Sequence, residues 1–86
     1  MMLDRIMELK ASITQDQFEA VGDILGPKGR QMFLDVLDSE TEEDAQARMD
    51  ALSKELQEQP IVAFKLYNKL DAQQKSIVLD LMEDVE

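Results

Sequence analysis

The sequence predicts an all-α fold, a compact bundle of five to six short helices joined by tight capped turns. Three observations point to it. Apolar residues recur at three- and four-residue spacings along the chain, with no sustained alternation of the kind a half-buried strand shows. Helix starts and stops are marked at Thr14, Gly26-Pro27, Ser39 or Thr41, Pro60 and Asp71. The chain has 86 residues, 44% of them hydrophobic, which predicts one domain, 1–86, around a single thin core.

The first helix is expected over about 2–11, with Leu3, Ile6, Met7 and Ala11 on one face. Thr14 with Gln17 reads as a capping box, and Ile13 with Phe18 as the hydrophobic staple around it. That helix carries Phe18, Val21, Ile24 and Leu25, and stops at Gly26, since Pro27 cannot easily continue it. A third runs from about Lys28 to Leu37, with Met32, Phe33, Val36 and Leu37 inward. Ser39, boxed with Glu42, or else Thr41, caps a fourth. Its acidic first turn suits the helix dipole, and Asp44–Arg48 and Asp50–Lys54 are spaced as i,i+4 ion pairs. Ala45, Met49, Leu52 and Leu56 form a narrow seam on this charged helix, which is expected on the surface. A fifth helix, about 60–69, is apolar on more than one face and is expected to be the central, most buried one. Asp71, boxed with Gln74, opens the last, with Ile77, Val78, Leu81, Met82 and Val85 inward. Residues 21–39 align weakly with 66–84, a similarity that any two capped amphipathic helix pairs would show.

Composition narrows function by exclusion. There is no histidine, cysteine or tryptophan, and 19 acids stand against 9 bases for a formal net charge of −10. Without His, the chain lacks the side chain best matched to proton transfer near neutral pH, and its serines lack their usual base. No enzyme activity and no cofactor are expected. Gly26-Pro27-Lys28-Gly29-Arg30 lacks the phosphate-loop pattern and reads as a helix–helix connection. The Thr14–Leu37 pair could pass for a DNA-binding helix-turn-helix, but the net charge repels phosphate, so direct nucleic-acid binding is not expected. The acidic run from Asp38 to Asp44 fails as a calcium loop, with Glu43 where glycine is needed and Met49 where a bidentate Glu is needed, so no metal site is expected. The longest apolar run, Ile61-Val62-Ala63-Phe64, is far too short to span a membrane, and no secretory signal opens the chain, so a cytoplasmic protein is expected.

Two functions remain. The first is a protein-interaction module (adaptor, assembly factor or small chaperone) whose partner is another protein or a copy of itself. It would dock an apolar helix face built from Leu3, Ile6 and Met7 or from Met49, Leu52 and Leu56, rimmed by acids. The alternative is an acidic mimic of nucleic acid that fills the basic groove of a DNA- or RNA-binding protein. Asp35, Asp38, Glu40, Glu42, Glu43, Asp44 and Asp50 would then stand in for phosphates.

Overall fold

The computed structural model describes residues 1–83, which form five helices: α1 (Met2–Ser12), α2 (Gln15–Leu37), α3 (Glu42–Glu58), α4 (Pro60–Tyr67) and α5 (Ala72–Glu83). No strand occurs among the described residues. Val85, expected on the last apolar face, lies outside them. The radius of gyration, 11.5 Å, is close to the roughly 12 Å of a compact chain of this length.

The helix starts follow local hydrogen bonding. At α2, the Thr14 side chain accepts from the Gln17 amide and the Gln17 side chain accepts from the Thr14 amide, closing the expected box. Asp71 and Gln74 make the same reciprocal pair at α5. At α3 the cap is Thr41, whose Oγ1 accepts from the Asp44 amide at 3.1 Å. Ser39 instead donates to the Asp35 carbonyl. Glu42, released from any box, reaches back to α1. Its two carboxylate oxygens accept from the amides of Met2 at 3.1 Å and Leu3 at 2.9 Å. That carboxylate satisfies two of the four orphan donors of a helix with no side-chain cap of its own.

The break expected at Gly26-Pro27 is present, and it divides α2 into two helical limbs that meet at a kink. Gly26 has φ 79° and ψ 178°, in the positive-φ territory that glycine enters without a Cβ penalty. Pro27 follows where the second limb begins and needs no amide donor. The limbs are tied across the kink by Arg30. Its stem passes so close to Gly22 that a Cβ there would lie 3.1 Å from its Cδ. Its guanidinium lies 5.7 Å from the Phe18 ring centroid, and Phe18 stacks on Phe33 with centroids 6.1 Å apart.

Packing reverses the expected places of two helices. The charged helix α3 is the central one, touching each of the other four. Ala45, Met49, Leu52, Ser53 and Leu56 on it are all buried. The apolar helix α4 is peripheral, packing on α2 and α3 and fully burying Leu66 alone. Eight residues make only about two turns, so one side of α4 faces the core and the rest of its apolar residues face water. The remaining core comes from Met2, Ile6 and Leu9 on α1, Val21, Phe33, Val36 and Leu37 on α2, and Ile77, Val78 and Leu81 on α5.

One buried polar junction ties distant parts of the chain. Gln74 is 0% exposed and forms a reciprocal amide pair with Gln17, at 2.7 and 3.0 Å. Gln74 also donates to the Ser12 carbonyl, and Gln17 to that of Lys69. The end of α1 and the starts of α2 and α5 therefore meet at two side chains. The weak internal similarity has a structural counterpart. The breaks at Gly26 and Asp71 align, and Val21/Leu66, Gly29/Gln74, Phe33/Val78 and Val36/Leu81 are buried in pairs.

Candidate functional site

Most of the apolar docking residues expected from sequence are already covered by the chain itself. Ile6, Met49, Leu52 and Leu56 are between 1% and 3% exposed. The physical reason is the central place of α3, whose seam engages neighbours on several sides, and the packing of α1 on α2, α3 and α5. A docking face on these residues would require opening the core. Substituting Leu52→Asp or Ile6→Asp therefore tests folding rather than binding. Leu3 is half-buried and Met7 remains 61% exposed. These two line an open groove of ≈ 390 Å³ with Lys10, Leu37 and Glu40, so part of the apolar set does meet part of the acidic set.

The acidic set is largely engaged. Asp35 accepts from the Gln31 side chain at 2.9 Å. Asp38 lies 3.7 Å from Lys10, and Asp50 3.0 Å from Lys54. The Leu3 amide foremost, with the Gln46 side chain, the Met2 amide and the nearby chain amino group, holds the Glu42 carboxyl below the usual carboxylate range, against its partial desolvation. Arg48 does not pair with Asp44; its guanidinium donates to the Asp35 carbonyl at 2.9 Å. Glu40, Glu43 and Asp44 are exposed and have no ion-pair partner among the described residues. No group of three carboxylates among the described residues is placed to hold a metal ion.

An exposed apolar feature lies outside both expected faces. On α4, Ile61 is 72% and Phe64 66% exposed. They sit one turn apart and so share a side of the helix with Lys65. Val62, Ala63 and Tyr67 are half-buried on the flank, and burial raises the Tyr67 phenol above its ordinary pKa. A sequence signal for this face does exist. From Gln59 to Leu70 there is no acid, in a chain that carries 19 of them. The stretch from Ile24 to Leu34 is likewise free of acid. The structure links the two. Lys28 lies 3.3 Å from Glu55, and Glu55 accepts from the side chain of Gln59, the residue that opens α4.

The core encloses a void of ≈ 10 Å³ lined only by apolar side chains, about one water in volume and without polar partners. Among the described residues, every buried side-chain nitrogen and oxygen has a hydrogen-bond partner. The features open to a ligand are therefore on the surface. No helix among the described residues is long and apolar enough to cross a membrane. No family model, curated protein or solved structure matches the chain.

Proposed function

We propose that this chain is a non-catalytic helical interaction module that docks a protein partner on the outer face of α4. The observation that carries the reading is the exposure of Ile61 and Phe64, at 72% and 66%, on a helix of eight residues. Fully burying a side chain of this size yields about 1.5–3 kcal/mol. The bundle forgoes most of that at both positions, and a docked partner would recover it. Pro60 at the first turn and the burial of Leu66 hold the helix in place, so the face needs little ordering on binding.

The test is recovery of a partner from host lysate on wild-type protein and on the double variant Ile61→Ser/Phe64→Ser, washed at low and high salt. A protein retained by wild type through high salt and lost by the variant is the expected result. Equal recovery on both would sink the reading. The nucleic-acid mimic stays as a second reading because Glu40, Glu43 and Asp44 are exposed together at the start of α3. It predicts a basic partner lost at high salt and on Glu40→Gln/Glu43→Gln/Asp44→Asn, with no effect of the α4 changes.

A further inference from the structure

We infer that the occupant of the α4 face is an acidic amphipathic helix from another protein. This rests on the docking reading above and names the partner's chemistry. Charge complementarity at one pole of the molecule supports this occupant. Lys65 lies one turn beyond Ile61, and Lys69 follows the helix end; both are exposed. Neither has a carboxylate within ion-pair distance among the described residues. The link through Glu55 brings Lys28, already paired, to the start of α4, whereas Arg30 is held against Phe18 and Gly22. Lys65 and Lys69 stand on a stretch, Gln59 to Leu70, that holds none of the chain's 19 acids. The acids bordering α4 are few. Glu55 is engaged by Lys28, and Glu58 and Asp71 are exposed, Asp71 accepting from the Gln74 amide.

The overall charge of −10 does not defeat this local preference. The acidic start of α3 is separated from α4 by the length of α3, 17 residues or about 25 Å at 1.5 Å per residue. The screening length at physiological salt is about 8 Å. At contact, the partner therefore senses the lysines beside Ile61 and Phe64 far more than the distant acids. A second copy of this chain fits less well, because a two-fold contact through α4 would bring together only Ile61 and Phe64 from each protomer, a small apolar core for a stable dimer. A lipid surface fits less well too. Its broad negative plane would meet the whole molecule's charge, and α4 offers only Ile61 and Phe64 for insertion.

The experiment is a selection from a displayed library of 14-residue amphipathic helices with randomised flanks. Wild-type protein is the target and Ile61→Ser/Phe64→Ser the counter-target. The expected result is enrichment of apolar stripes flanked by Asp and Glu. The best peptide should weaken by about tenfold on Lys65→Glu/Lys69→Glu, as two reversed rim charges imply. Enrichment that depends on α4 but has no acidic bias overturns this inference and leaves the docking reading standing. No α4-dependent enrichment removes both. Two controls on the same protein complete the set: light scattering across concentration, and flotation with vesicles containing anionic lipid. Self-association, or vesicle binding, that disappears in Ile61→Ser/Phe64→Ser would put a second copy or a membrane on this face and overturn the acidic helix.

Discussion

Helices α3 and α4 are joined by the single residue Gln59 and differ in nearly every respect that composition measures. Nearly half of α3 is charged, yet it lies at the centre and buries five residues. Apart from Lys65, no residue of α4 is charged, yet only one of its eight residues is fully buried. Burial is decided by the length and alignment of an apolar stripe rather than by apolar content. The α3 seam runs through Ala45, Met49, Leu52 and Leu56 at spacings of four, three and four, so one line of contact continues for three turns. Charges on its flanks stay wet while the seam stays dry. In α4 the apolar residues surround a two-turn rod, and only the side holding Leu66 can face the core.

The sharpest way to break this comparison is to truncate one apolar residue on each helix. Leu52→Ala should cost about 2–5 kcal/mol in urea unfolding, because the site is 3% exposed and closely surrounded. A loss below about 1 kcal/mol would mean that α3 is not the centre of the bundle.

A smaller effect concerns how α3 is tied to α1. The Glu42 carboxyl has its pKa lowered in the folded state, so its contribution is present above the unfolded carboxylate range and is lost as pH falls through the folded value. Glu42→Gln should lower the urea midpoint at neutral pH. The gap to wild type should narrow as pH falls through the folded value, below which both side chains are neutral. A gap that stays constant with pH would show that the negative charge does not carry the contact.

The smallest effect is expected on α4. Ile61→Ser/Phe64→Ser should shift stability by less than about 1 kcal/mol in total, in line with exposed positions. A loss as large as that of Leu52→Ala would place α4 in the core after all.

Features fixed by neighbours in sequence were legible in the sequence. The Thr14/Gln17 and Asp71/Gln74 boxes, the Gly26 break and the Asp50–Lys54 pair each depend on residues at most four apart. The errors share one cause, contact across long separations. Spacing boxes Glu42 with Ser39, but the uncapped amides of α1 offer it two donors instead of one. Spacing pairs Arg48 with Asp44, but its guanidinium donates to the Asp35 carbonyl at the end of α2. The docking residues Ile6, Met49, Leu52 and Leu56 were recognised as an apolar face, but periodicity cannot say whether that face meets the same chain or another. The α4 face departs from expectation because high apolar content on a two-turn helix does not bring burial. The absence of acid from Gln59 to Leu70 was the available warning.

The Glu42 contact also bears on the order in which the molecule is made. Its carboxylate stands 40 residues after the Met2 amide it satisfies. At about 5–20 residues per second of translation, that distance is roughly 2–8 s of synthesis. Until then α1 is an eleven-residue segment with no side-chain cap, shorter than an isolated helix needs to persist in water. Helix α1, made before α3, is thus obliged to wait for it, and its packing against α5 comes later still. A nascent chain stalled before Glu42 emerges would carry Met2, Ile6 and Leu9 exposed to any chaperone near the ribosome exit.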